Sequence, residues 1–238
     1  MTAAGTATGR AARGTLYRLL SLGFAPPTAQ SLAEVSALAE ALAVLPDPPA
    51  GLDAVRREAA ATRAPDLAGA YERLFGGTVA VSPYEGGYEA DPLRQGRQLA
   101  DVAGFYRAFG AAAHGPLAER PDHAGAELEF LAFLELRALE AEEAGDEAAA
   151  TLLDGIADAF LQDHAGRWLP AFFAEVAGAE SDAAPLHRAL AALGARALAD
   201  ELVRRALDPP PLASARRRLA VEADTFACEA GASPAAGR

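Results

Sequence analysis

The sequence predicts an all-α protein, and three observations carry that prediction. Ala and Leu dominate while β-branched residues are sparse. Apolar residues recur at helical spacing along most of the chain, and no stretch alternates apolar and polar residues between hairpin turns. Every basic side chain is arginine. Ala, Leu, Glu and Arg all favour helix because they lose little rotamer freedom there. The 238 residues suit one large helical domain, and no repeat of fixed period is present. The expected fold has about nine or more helices. It has two helical halves, 10–110 and 122–228, joined by a connector near 111–121 within a single domain 10–228. Residues 1–9 and 229–238 read as flexible tails.

The elements follow in order. Leu16, Tyr17, Leu19 and Leu20 form a helical stripe that Pro26-Pro27 stops, since proline has no donor and clashes with the preceding turn. Thr28 or Ser31 caps a second helix with Leu32, Val35, Leu38, Leu42 and Leu45 on one face. Pro46-Asp47-Pro48-Pro49 is a loop, and 52–62 a short helix. Asp66 starts a helix carrying Leu67, Ala70, Tyr71, Leu74 and Phe75, which ends at Gly76-Gly77. Residues 78–90 are irregular, and 92–110 are helical through Leu99, Val102, Phe105, Tyr106 and Phe109. From Asp122 a helical pattern runs to about Ala144. The segment 147–177 is helical with a kink or restart at Pro170; helices at 185–207 and 212–226 complete the chain around Pro209-Pro210-Pro211.

The formal net charge is −12. A nucleic-acid partner calls for a basic patch, so none is expected. Arg204-Arg205 and Arg216-Arg217-Arg218 read as solvated helix faces. A single cysteine, Cys228, permits no disulfide within the chain and points to a reducing compartment. Signal-peptide and membrane-spanning patterns are absent, so membrane insertion is not expected. No phosphate loop, dinucleotide fingerprint, GxSxG elbow or HExxH pair occurs, and Glu127 and Glu129 fall on different helix faces. No catalytic residue, cofactor or metal site is expected.

Two segments stand apart. The first joins Tyr71-Glu72-Arg73-Leu74-Phe75 to Ser82-Pro83-Tyr84-Glu85-Gly86-Gly87-Tyr88, and the second joins Glu119-Arg120-Pro121-Asp122-His123 to Glu127-Leu128-Glu129-Phe130-Leu131. By residue chemistry alone, the first loop is either a binding loop or an Ω-type loop pinned by its own aromatics. Asp122 reads as the N-cap of the helix that follows, with His123 in its first turn and Glu127 on the same face. His164 and Trp168, one turn apart, read as a packed pair.

These segments, with Phe160-Leu161-x-x-His164-x-x-x-Trp168-Leu169-Pro170-x-Phe172, resemble the TorD-like family of redox-enzyme maturation chaperones. The resemblance covers Leu16 to Leu207. The Pro83-Tyr84-Glu85 form is similar to chaperones of periplasmic dimethyl sulfide, ethylbenzene and chlorate/selenate-type molybdoenzymes. The nitrate-reductase (NarJ) branch is the neighbouring alternative. The resemblance implies an all-helical, non-enzymatic, cytoplasmic protein. Its implied partners are the twin-arginine signal peptide and the apo catalytic subunit of a molybdoenzyme, held for cofactor insertion before Tat export. Carried onto this chain, the implied peptide site has Leu74, Phe75, Pro83, Tyr84 and Tyr88 as its apolar part. Glu85, Glu119, Asp122, His123 and Glu127 are its polar part. Arginine pairs with carboxylates in bidentate fashion, which suits such a site. The chain is expected as a monomer or a domain-swapped dimer. A helical regulatory or scaffold protein binding a folded partner, and a small-molecule enzyme with a helical pocket, are the competing classes.

Overall fold

The computed structural model describes residues 3–76, 81–110, 120–179 and 184–212. Among them are nine α-helices, one 3₁₀ turn and one π turn, and no strand. The helices are α1 (Ala3–Phe24), α2 (Ala29–Ala43), α3 (Leu52–Ala61), α4 (Ala64–Phe75) and α5 (Pro92–Ala108). They continue as α6 (Ala124–Glu143), α7 (Glu147–Phe160), α8 (Gly166–Ala177) and α9 (Pro185–Arg205). The 3₁₀ turn spans Glu85–Tyr88 and the π turn Leu161–Ala165. The expected connector at 111–119, the helix at 212–226, Arg216 to Arg218, Cys228 and Glu119 lie outside the described residues.

Local signals place most boundaries. Thr28 and Ser31 form a reciprocal capping box on α2, so both candidate residues contribute. Pro65 and Pro92 sit in the first turns of α4 and α5, where a missing N–H costs no helical bond. Asp146 caps α7 by accepting from the Ala149 N–H. Helix α1 begins at Ala3, so residues 3–9, expected as part of a flexible tail, are helical instead, because the alanines there, good helix formers, extend the helix upstream of its apolar stripe.

Helix α1 lies along α6 and also touches α2 and α9, while α3 and α8 pack on α9 and α7 packs on α6. One continuous core results, with Leu19, Leu20, Phe24, Phe160, Trp168, Leu169, Phe172 and Phe173 shielded from solvent. Phe24 meets Phe172 edge-on at 5.1 Å between ring centres. Gly194 lets α9 approach α8, since a Cβ there would lie 2.7 Å from the Phe173 ring. Residues 147–177 run as one helical path through Pro170. The widened turn falls upstream of the proline, at Leu161–Ala165.

Arg205 departs from the sequence reading. Its side chain is only 5% exposed and is tied to Glu135, Asp154, Asp158 and Glu201. Arg10, equally hidden, reaches Glu135 at 3.3 Å and Glu142 and Asp154 at 2.9 Å. Together they bind α1, α6, α7 and α9 at one end of the molecule. By local sequence Arg205 stands beside Arg204 in the last turn of α9, which suits a solvated face. It is the acids brought in from α6 and α7 that draw the guanidinium inward. Burial alone would raise the Glu201 carboxyl, but hydrogen bonds from Arg204 and Arg205 outweigh it and hold the group below its ordinary range.

Arg205→Ala takes a buried cation from Glu135, Asp154, Asp158 and Glu201 at once, leaving Arg10 and Arg13 on Glu135 and Arg204 on Glu201. The expected loss is about 3 kcal/mol, read as a lower urea midpoint with unchanged far-UV circular dichroism below the transition.

Candidate functional site

The two singled-out segments meet. The loop after α4 and the residues before α6 form an antiparallel bridge between Tyr84 and His123. The Glu85 N–H donates to the Asp122 carbonyl at 2.9 Å, and the Ala124 N–H to the Pro83 carbonyl at 2.8 Å. Asp122 also accepts the Gly86 N–H at 3.2 Å and two bonds from Arg120, at 2.8 and 3.0 Å. The Arg120 guanidinium lies 4.8 Å from the centre of the Tyr84 ring. Gly87 allows the loop its tight fold, because a Cβ there would meet the Ser82 side chain at 2.1 Å.

His123, rather than Asp122, is the N-cap of α6, with Nδ1 accepting from the Gly125 N–H at 3.1 Å. Asp122 is drawn across to the loop instead, where a backbone N–H and an arginine compete successfully for its oxygens. With Nδ1 accepting, the His123 proton resides on Nε2, facing the Tyr71 hydroxyl at 3.4 Å. Burial pushes the imidazole down to about 4, and His187 likewise.

Beneath the bridge lies a layer of enclosed acids. Glu127 accepts from Trp168 Nε1 at 2.9 Å, while its other oxygen has no hydrogen-bond partner among the described residues. Burial, then the neighbouring Glu85 charge, push the Glu127 carboxyl well above its ordinary value. A protonated Glu127 is the form this environment favours. Glu85 faces His164 Nδ1 at 3.2 and 3.3 Å. His164 packs on Phe105 and Phe160, and Trp168 on Tyr88 and Phe172. The expected His164–Trp168 pair is thus replaced: the π turn alters the helical register between the two.

The structure therefore assembles nine of the ten expected site residues around one junction. Leu74, Phe75, Pro83, Glu85, Tyr88, Asp122, His123 and Glu127 are buried there, and Tyr84 is half-buried at the surface. Phe75 stacks on Phe172 at 5.9 Å, and the Tyr88 hydroxyl reaches Ser82 O and Glu175. Glu119 lies outside the described residues. Sequence reasoning did not group His164 with this set, although Glu85 at 3.2 Å makes it the link to a neighbouring surface pocket of about 630 Å³. Arg97, Gln98, Ala100, Asp101, Asp163, His164 and Arg167 line that pocket. Its location on a π turn was the signal that only the structure reveals. Among the described residues no group of His, Cys, Asp and Glu has the arrangement of a metal site, and no helix is long and apolar enough to cross a membrane.

Residues 26–174, from the approach to α2 through most of α8, match the family described as nitrate reductase delta subunit. The chain belongs to the nitrate reductase delta subunit family. The matched segment contains both arms of the junction and the π turn. The chain is also 38% identical over 99 residues to the selenate reductase assembly chaperone protein of Thauera selenatis, covering 42% of this chain. It spans about half the length of that curated relative. A crystal structure from Archaeoglobus fulgidus, assigned to a redox enzyme maturation protein, aligns with a TM-score of 0.42 and 24% identity. That alignment covers 62% of this chain and 93% of the other.

Two outcomes test the junction. Asp122→Ala leaves the buried Gly86 N–H without its acceptor and frees the half-exposed Arg120 side chain, and an expected loss of about 2 kcal/mol would be read by chemical denaturation. For pH, the histidines and Glu127 oppose one another. His123 and His187 bind fewer protons folded than unfolded. Their contribution is complete above pH 6.5 and is lost as pH falls towards about 4, by up to about 3 kcal/mol each. Glu127, raised, contributes fully below 4.5 and loses that contribution as pH rises. Glu127→Gln removes the opposing titration, so its denaturation midpoint should fall more steeply than that of the parent between pH 6.5 and 4.

Proposed function

We propose that this protein is an assembly chaperone for a molybdenum-containing oxidoreductase, and that it is not itself a catalyst. The observation that carries the reading is the family membership over 26–174, supported by the 38% identity to a selenate reductase assembly chaperone. In this reading it binds the twin-arginine signal peptide and the apo catalytic subunit in the cytoplasm. It holds them until the cofactor is inserted, before Tat export. The client belongs to the selenate, chlorate and dimethyl sulfide type. The family description favours a second reading, assembly of a nitrate reductase, in which the mature domain rather than an export signal is the main contact.

The junction suits peptide capture by its edge. Tyr84, half-buried with Arg120 over its ring, offers an aromatic contact at the surface. Leu74, Phe75, Pro83 and Tyr88 hold it from beneath, and Glu85, Asp122, His123 and Glu127 fix the loop and give the floor its acidic character. Glu119 stands in the same segment and completes the proposed set. The occupant is an arginine-bearing, apolar segment of the client, since acidic and aromatic groups together match that chemistry.

Native pull-down from the host, with mass spectrometry, should recover a molybdoenzyme catalytic subunit still carrying its leader. Recovery of leaderless subunits alone favours the nitrate-reductase reading, and recovery of neither defeats the chaperone reading. Tyr84→Ala should weaken binding of a synthetic leader peptide about tenfold with helix content unchanged.

A further inference from the structure

We infer that the pocket between α5 and the π turn is the subsite that receives a guanidinium group of the client peptide, with His164 Nε2, Asp101 and Gln98 as its acceptors. The inference rests on the peptide-binding reading above. It begins with the proton on His164. The Glu85 carboxylate, completely buried, places both oxygens within 3.3 Å of Nδ1. A carboxylate only accepts, so Nδ1 carries a hydrogen, and in the neutral ring Nε2 keeps its lone pair. His164 is 2% exposed and lines the pocket, and Nε2 makes no hydrogen bond among the described residues.

The Asp101 Oδ2 atom lies 3.3 Å from that nitrogen. No hydrogen bond joins the two atoms. In the neutral ring both are acceptors, and a donor placed between them satisfies both. Gln98 lines the same pocket, and its Oε1 atom is buried and likewise without a partner among the described residues. Two buried acceptors without a donor among the described residues thus belong to residues that line one pocket with the exposed Asp101 carboxylate. A buried acceptor without a donor is costly, and a ligand carrying several N–H groups relieves it.

Charge narrows the ligand. Asp101 and Asp163 line the pocket, and Glu85 lies behind His164. Of the cations, Arg167 already donates to the Pro210 and Asp163 carbonyls, and Arg97 is exposed at the rim. A guanidinium offers five N–H groups in a planar fork that serves side-by-side acceptors, whereas an ammonium acts as a point charge. The subsite thus discriminates arginine from lysine. Because Glu85 also donates its backbone N–H to Asp122, occupancy of the pocket reaches the junction through one residue.

The test uses the full chain and two probes: a synthetic peptide with consecutive arginines before an apolar helix-forming stretch, and its lysine counterpart. Calorimetry should show the arginine peptide binding more tightly than the lysine peptide. Asp101→Ala, at an exposed side chain, should weaken the arginine peptide about tenfold and remove the preference. Asp53→Ala, another exposed acid, should leave both unchanged. Normal binding by Asp101→Ala overturns the subsite and leaves the chaperone reading standing. If the parent binds neither peptide, the reading fails, and N-acetyl-arginine amide decides the subsite separately through the ¹⁵N signals of His164. A free protein with only Nδ1 protonated, whose Nε2 signal moves on adding the amide, supports it. A doubly protonated ring, or a signal that does not move, overturns it.

Discussion

The structure depends on how acids are held away from water. Glu85, Asp122 and Glu127 sit in the interior at the meeting of the α4 loop, the start of α6 and the π turn. A buried carboxylate is tolerated only with donors or with its proton. Each of the three has a different solution: His164 faces Glu85, Arg120 and a backbone N–H serve Asp122, and Trp168 with protonation serves Glu127. These demands fix the loop against the helix and hold His164 between Glu85 and the pocket beside α5. The far end of the molecule repeats the principle with guanidinium groups, where Arg10 and Arg205 gather acids from α6, α7 and α9.

The fold and the proposed function meet in that layer. The aromatic core of Phe24, Phe75, Phe172 and Phe173 gives rigidity, and the acid layer on its flank gives chemical character. A receptor for an arginine-bearing apolar segment needs both, since apolar contact supplies affinity while paired acceptors supply choice. Helix α5 bridges the two regions: Tyr106 donates to the Pro121 carbonyl at 2.8 Å, and Phe105 packs on Phe160 and His164. Changes at α5 therefore bear on both the junction and the pocket.

Most of the architecture was legible in the sequence. Helical periodicity gave the all-α class, and the boundaries read at Pro26-Pro27 and Thr28 hold, while α4 begins at Ala64, two residues before Asp66. Unusual composition picked out two segments that the fold joins. What composition did not show was their depth. Glu85, Asp122, His123 and Glu127 read as candidate surface groups, yet each is enclosed. Arg205 read as solvated for the same reason: a charge's partners on distant helices leave no local periodic trace.

The sequence by itself determined the helices and the family to which they belong, because helix formation, capping and chain breaking act over a few neighbouring residues. Only the tertiary structure decided that His123 rather than Asp122 caps α6, that His164 lies within a π turn, and that Glu85 orients the imidazole lining a pocket. Those outcomes are competitions between local and distant hydrogen-bond partners. They are settled by which donors the packing of α4, α6 and α8 brings within reach.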